Sequence, residues 1–296
     1  MIKVAIAGAD DPLAGELVRI LINHPEVDLR YLIAPSKSGL AARAVHHGLI
    51  GENPPAFCTE ADWSKTDLLF VTDPTFDLGS VPEEVKIVDL SGRAHTEEDW
   101  VFGLSEIFRK ALVRGATKAY VPEPLAAVAL IALFPVARLL PEEGTLKIGV
   151  SGRDSADPKS LDRAVTQIAA VLNEVKPRFD TGIETEVSPA DNPRHISVSI
   201  EFPTAIGVHD ILPLFEQVYD DHNFTHLSSH MPHPEDVAGT HKCLLHVEKP
   251  TPEMARVSAV ADPRMRGGVG EAIHLMNLLC GLYEKTGLTF HARVDY

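Results

Sequence analysis

The residues able to do chemistry gather at a few turns. The stretch Lys118–Leu130, KAYVPEPLAAVAL, reads as a strand end, a turn with two prolines and an apolar helix. In an open α/β sheet, ligands bind beyond the carboxyl ends of the strands, so such a turn is a seat for a nucleophile. This one is Pro122-Glu123-Pro124 and offers none. A second turn, Gly8-Ala9-Asp10-Asp11-Pro12-Leu13-Ala14-Gly15, has the place of a dinucleotide-binding turn. Gly8 supplies the close backbone approach, and Ala14 or Gly15 suits tight helix packing. Its middle is acidic: Asp10 and Asp11 would meet a pyrophosphate with like charge, and Pro12 brings no N–H to a helix start that should donate. The same residues also read as an N-cap aspartate with proline at the first helical position.

Other candidates are weaker. Ser36 and Lys37 follow the second strand, where a hydroxyl and an ammonium suit a 2′-phosphate; a solvated loop is the alternative. Ser91-Gly92 closes the strand Val85–Leu90, and Arg266-Gly267-Gly268-Val269-Gly270 leads into the last helix, where its amides could face a ligand or its glycines only allow packing. Ser91 and Ser151 stand beside glycine, but neither lies in a Gly-x-Ser-x-Gly elbow. Glu106 and Glu123 are general-base candidates near a cleft, or surface acids. Six of the 14 histidines bunch at 222, 226, 230, 233, 241 and 246. Ser228-Ser229, Pro232 and Pro234 make that stretch a loop rather than a helical zinc face, so no metal site is expected.

The elements that must position these residues follow from periodicity. Lys3–Ala7, a helix carrying Leu13, Leu17, Ile20 and Leu21, and Asp28–Ile33 make a β-turn-α-β opening. Leu68–Val71, Val85–Leu90 and Lys118–Val121 complete a doubly wound parallel sheet of five or six strands. Leu125–Leu139 is apolar all round and is expected buried between two domains. Strands at Thr145–Ser151, Ile183–Val187, His195–Phe202, His241–Glu248 and Ala255–Ala261, with helices at Lys159–Glu174 and His209–Asp220, form a second, α+β domain. Its mostly antiparallel sheet is covered on one face and open to a partner subunit on the other. The chain returns to the first domain through the helix Ile273–Tyr283, where Cys280 lies on an apolar face and reads as core. The domains are therefore 1–122 plus 264–296, and 123–263.

The 296 residues carry a net charge of −15, which argues against nucleic acid or an anionic membrane as partner. No apolar run reaches the ~18 residues of a membrane span, and the opening MIKVAIAG is a strand rather than a signal peptide. Three cysteines, Cys58, Cys243 and Cys280, are an odd, widely spaced set of reduced thiols, as in a cytoplasmic protein.

In order and spacing, the opening IKVAIAGA…LAGELVRILINHPEVDL, VDLSG (88–92), FGLSEI (102–107), GVSG (149–152) and RGGVGEAIHLMNLLCGL (266–282) resemble the N-acetyl-gamma-glutamyl-phosphate reductases. These belong to the wider semialdehyde dehydrogenase family. The resemblance implies an NADP-binding Rossmann-type domain, an α+β dimerisation domain, and reductive dephosphorylation of an acyl phosphate in arginine biosynthesis. In that chemistry a cysteine forms a thioester that hydride reduces. The resemblance places the cysteine at Pro124, with Glu123 where glycine would stand. The family's His-Arg-His-Thr-Pro-Glu segment is missing between Ser151-Gly152-Arg153 and Ile183, and Pro193-Arg194-His195 aligns with a later strand. The second glycine of the nucleotide turn is Asp11, and Pro263 replaces an asparagine before the final loop.

The departures fall together on nucleophile, acid–base histidine and cofactor turn. Covalent catalysis needs an activated nucleophile beside its base. The expectation is a degenerate member, a pseudoenzyme with no catalytic residues. It would have a weakened NADP site at Gly8, Asp11, Ser36, Lys37, Ser91, Gly92, Gly267, Gly268 and Gly270, and would assemble as a homodimer or with a paralogous subunit. The alternative is an NAD(P)-dependent oxidoreductase of altered mechanism, acting directly on a small carbonyl or alcohol.

Overall fold

The structure, a computed structural model, describes residues 1–96, 99–152, 157–177, 179–188 and 195–292. Arg153, Pro193 and Arg194 of the sequence reading lie outside the described residues. The chain divides into two compact units: Met1–Val121 with Glu271–Thr289, and Pro122–Gly270 with the residues from Phe290 on. This division leaves the turn Arg266–Gly270 with the second unit.

The first unit opens with β1 (Ile2–Ala7), α1 (Pro12–Leu21) and β2 (Val27–Ile33). It continues through β3 (Phe57–Cys58), β4 (Leu68–Val71), β5 (Lys86–Asp89), β6 (Val101–Phe102), α2 (Ser105–Val113) and β7 (Lys118–Tyr120). The sheet order is β3-β2-β1-β4-β5-β7-β6, parallel throughout. Among the described residues it has seven strands rather than five or six. β3 and β6 are two-residue strands, too short to leave a period in the sequence. All four residues of β4 are fully buried, as a parallel strand covered on both faces requires. Ala7 pairs with Ile33 on one side and Val71 on the other, and Val71 pairs with Asp89. The turns after β1, β2, β4 and β5 therefore open along one edge. Strand order reverses at β1, the switch point where such sheets take ligands.

The second unit holds α3 (Pro124–Leu133), β8 (Glu143–Gly152), α4 (Pro158–Val175), β9 (Asp180–Ser188), β10 (Ile196–Pro203), α5 (Val208–Tyr219), β11 (Thr225–Leu227), β12 (Cys243–Thr251) and β13 (Met254–Ala261). Its sheet order is β11-β12-β13-β10-β8-β9, and among the described residues the parallel pairs are β11 with β12 and β8 with β9, at the two edges. Along β10, Ile196, Val198, Ile200 and Phe202 are buried, and α3 packs against β10 and β13. The opposite face carries Ser197 and Ser199, with Gly149 and Ser151 of β8 and Arg256 and Ser258 of β13.

Three local expectations change. The α-helix expected over 125–139 ends at Leu133 and continues as a 3₁₀ turn, Phe134–Leu139, because Pro135 brings no N–H to the ladder. The histidine-rich stretch is not all loop before the strand expected over His241–Glu248: Thr225–Leu227 pairs with β12, so His226 stands on a strand, as His246 does on β12. The last helix, α6 (Val269–Leu279), begins and ends earlier than expected. It is closed by Gly281 at φ +68°, whose amide reaches Leu278 O, while the Leu282 amide reaches Asn277 O, a Schellman ending. No helix among the described residues is long and apolar enough to cross a membrane. None of Cys58, Cys243 and Cys280 is in a disulfide.

Candidate functional site

In the first unit the carboxyl edge of the sheet is built around Gly8. Its φ of +77° is open to glycine, and a Cβ there would lie 2.7 Å from Thr72 Oγ1 and the Asp73 amide. The Gly8 and Ala9 amides bond Ile33 O, tying the turn to the end of β2, after which Ser36 and Lys37 sit in a short 3₁₀ turn. Thr72 Oγ1 lies 2.9 Å from both Ala7 O and Gly8 O.

The start of α1 leaves little for a phosphate. Pro12 has no amide, Asp11 Oδ1 accepts the Leu13 amide at 2.7 Å, and Asp11 O accepts the Gly15 amide at 3.1 Å. Asp11 is thus the N-cap of α1. It occupies by its own carboxylate one donor that an incoming anion would use. Asp73 turns inward on Thr75.

Ser91 and Gly92 close β5. The buried Asp89 carboxylate accepts the Ser91 hydroxyl at 2.6 Å, the Ser91 amide at 3.2 Å and the Ala94 amide at 3.2 Å. Gly92 takes φ +77° in that loop. The Ser91 hydroxyl is held as a turn donor.

One residue that the sequence did not single out completes this edge. His46 places its ring where a Gly15 Cβ would come within 2.5 Å of Nδ1, and its Nε2 lies 2.7 Å from Ala9 O. Phe57 meets the ring edge-on. Gly15 is therefore small for a histidine 31 positions away, and only the tertiary structure brings the two together.

In the second unit, Pro124 is the first residue of α3 and Glu123 its N-cap position. The Glu123 carboxylate accepts Arg163 Nε at 2.5 Å and Ser160 Oγ at 2.6 Å, and the Glu123 amide donates to Gln167 Oε1 at 2.9 Å. Both oxygens are engaged by α4, so the general-base candidate is a tether. Gly267, at φ +70°, lies against this turn: a Cβ there would stand 2.5 Å from Pro124 Cα and 3.1 Å from Pro122 O. A Gly268 Cβ would meet Arg264 O at 2.4 Å, and a Gly270 Cβ would meet Met265 O at 2.8 Å. These three glycines admit close backbone packing within the unit.

The histidine bunch divides among elements. His222 contacts Tyr219, His241 contacts Phe224, His246 Nδ1 lies 3.1 Å from Ser228 O, and the His233 amide donates to Asp236.

The other polar concentration lies in the first unit, on α6. Glu271, His274 and Asn277 recur every three residues on a helix otherwise apolar, and all are buried. His274 Nε2 meets Glu284 Oε2 at 3.0 Å, and Arg109 pairs with the other Glu284 oxygen. Burial pulls the His274 pKa down, but hydrogen bonds to Glu271 and Glu284 outweigh it and leave the imidazole above its ordinary value. The His274 contact carries Glu284 down to about 2, with burial opposing and Arg109 assisting. The buried Glu106 adds its charge to this group from α2 rather than serving as a surface acid. Asn277 Nδ2 donates to Glu284 O and Thr286 O, and its oxygen meets His24 Nε2 at 3.2 Å. The spacing 271, 274, 277 was visible in the sequence, but its burial was not. Cys280, expected in the core, is half-buried just past the end of α6.

Residues 3–114 match the family described as semialdehyde dehydrogenase, NAD binding domain. The N-acetyl-gamma-glutamyl-phosphate reductase of Bacteroides fragilis is 30% identical over 319 aligned positions, covering 97% of this chain and 98% of that protein. The one from Phocaeicola vulgatus is 29% identical with the same coverage. Among solved structures, aspartate semialdehyde dehydrogenase II of Vibrio cholerae superposes with TM-score 0.70 at 13% identity, covering 96% of this chain and 99% of that one. The Candida albicans aspartate semialdehyde dehydrogenase with NADP gives 0.71 at 12%, covering 95% and 98%. These structural likenesses speak for the fold.

Proposed function

Because this chain belongs to the N-acetyl-gamma-glutamyl-phosphate reductase family, we propose that it is a member that has kept the fold and lost the thioester chemistry, acting as a binding or regulatory protein. The observation that carries this reading is the turn Pro122-Glu123-Pro124. Proline begins α3 at the position the family resemblance assigns to cysteine, and the preceding carboxylate is bound on both oxygens by Arg163 and Ser160. Covalent reduction of an acyl phosphate requires an activated nucleophile there. Loss of the histidine segment belongs to the same reading.

The nucleotide turn supports a weakened NADP site. Gly8 keeps the backbone conformation of the first turn, but Asp11 and Pro12 remove first-turn donors and Asp10 and Asp11 bring negative charge. A pyrophosphate fits this turn poorly, so no chemical step is assigned through the cofactor. Ser36 and Lys37 remain the residues suited to a 2′-phosphate, with Ser91 and Gly92 at the neighbouring strand end; Gly267, Gly268 and Gly270 keep packing roles in the second unit. The reading needs no metal, and places the protein in the cytoplasm. The open face of the second sheet, rich in Ser and Gly, suits a second copy or a paralogous subunit.

The retained Gly8 conformation favours one other reading, an NAD(P)-dependent oxidoreductase acting on a ready-made carbonyl or alcohol. Titration with NADPH and NADP⁺ by fluorescence and calorimetry separates the two. Failure of both to bind at millimolar concentration ends the oxidoreductase reading. Micromolar binding with turnover of a small carbonyl would overturn the non-catalytic one.

A further inference from the structure

The first unit contains a cavity of about 630 Å³ lined by Ile2, Trp63, Asp67, Glu84, Lys86 and Cys280, with Pro82 and Val85 on its wall. It lies at the amino ends of β1, β4 and β5, whereas the nucleotide turn lies at their carboxyl ends. The two sites are therefore separated by the length of the strands.

The cavity has the size of a small-molecule site, and its lining sets an apolar wall beside polar groups, Ser64 and Thr66 among them. Trp63, Pro82, Val85 and Ile2 supply the apolar part. Lys86 Nζ is anchored by Leu279 O at 2.5 Å, a backbone carbonyl at the end of α6. Among the described residues one of its three donors is used, which leaves two for a ligand. Asp67 is fixed by its Oδ2, which accepts the Lys3 amide at 2.8 Å, while its backbone pairs on both sides with Lys3 and Lys86. The Cys280 thiol is pushed up by burial, relieved by the Lys86 charge and raised again by Asp67, which places all three within electrostatic reach.

A fixed cation, a fixed carboxylate and an aromatic wall recognise a molecule that carries both charges and an apolar part. We propose that this cavity binds a small zwitterion with an apolar side chain, of the free α-amino-acid class, with its carboxylate on Lys86, its ammonium on Asp67 and Glu84, and its side chain against Trp63. Neither the cavity nor its ligand depends on whether the nucleotide turn binds NADP.

The cavity contains its own reporters. The chain has two tryptophans, so in the Trp100→Phe variant the emission comes from Trp63 alone. The free common amino acids are titrated into that variant, and iodoacetamide labelling of Cys280 is followed in the unaltered protein by peptide mass. The expected result is a saturable emission change with apolar amino acids, and none with their N-acetyl amides, which lack both charges. Cys280 labelling should slow about threefold at a ligand concentration of twice Kd, since protection scales as 1 + [L]/Kd. Glu84→Gln should weaken binding, and Lys86→Met should abolish it. If no amino acid shifts Trp63 emission or protects Cys280 at millimolar concentration, the proposal is wrong. Equal binding of the N-acetyl amides would overturn the zwitterion assignment. Because the labelling uses the unaltered protein, a poorly folded variant does not blur the outcome.

Discussion

Glu123 and Arg163 form the ion pair that fixes the start of α3: Arg163 Nε stands 2.5 Å from Glu123 Oε1, and the Glu123 side chain is only 12% exposed. The turn that the family resemblance assigns to a nucleophile is thus held by a structural clamp. Ser160 takes the other carboxylate oxygen and Gln167 the backbone amide, so three residues of α4 converge on one residue.

Breaking this clamp should weaken the second unit. Glu123→Ala leaves Arg163 and Ser160 without their carboxylate, and the expected cost is about 1–2 kcal/mol for a partly shielded pair. Urea unfolding monitored by circular dichroism measures it. An unchanged midpoint would mean that the pair contributes nothing.

Asp11 should limit nucleotide binding. Asp11→Gly removes a negative charge and frees the Leu13 amide, while a glycine N-cap costs only a few tenths of a kcal/mol. NADPH affinity is expected to rise about fivefold, the scale of one charge at a helix N-terminus. Calorimetry on the two proteins decides this, and equal affinity would show that Asp11 points its charge away from the ligand.

The polar group on α6 should give the first unit a stability maximum. Glu284 titrates at about 2 in the fold against 4.5 ordinarily, so its contribution is full above 4.5 and is lost as pH falls toward 2. His24, lowered by burial, also favours the fold less as pH drops below 6.5. His274 is raised, so its contribution is full below 6.5 and is lost as pH rises through its folded value. Melting temperature followed against pH should therefore fall on both sides, and Glu284→Gln should flatten the acid limb.

The open face of the second sheet should be an interface. Ser199 lies at its centre, facing Gly149 on β8 and Ser258 on β13. Ser199→Arg should turn a dimer into a monomer in sedimentation analysis while the isolated fold persists. An unaltered protein that sediments as a monomer would remove the partner from the account.

The sequence made the larger organisation legible because its signals are local. The apolar runs of β1, β4 and β5, and the alternation of β10, state their own burial. The N-cap at Asp11 and the proline at Pro12 were readable for the same reason. What could not be read depends on distant residues. The His46 ring explains Gly15, and α4 explains Glu123, yet neither pair is close in sequence. β3 and β6 exist only because neighbouring strands offer them hydrogen bonds. Gly281 ended α6 by backbone conformation, in a stretch whose apolar pattern ran on to Tyr283.

With proline at its head, the turn at Pro124 is proposed to have lost the family's reduction. Purified protein incubated with NADPH and N-acetyl-gamma-glutamyl phosphate tests it directly, with phosphate release and NADPH absorbance followed together and the protein checked by mass for a bound acyl group. No acyl adduct and no turnover above the protein-free rate are expected. Phosphate release coupled to NADPH oxidation, or an acylated residue anywhere in the chain, would contradict it.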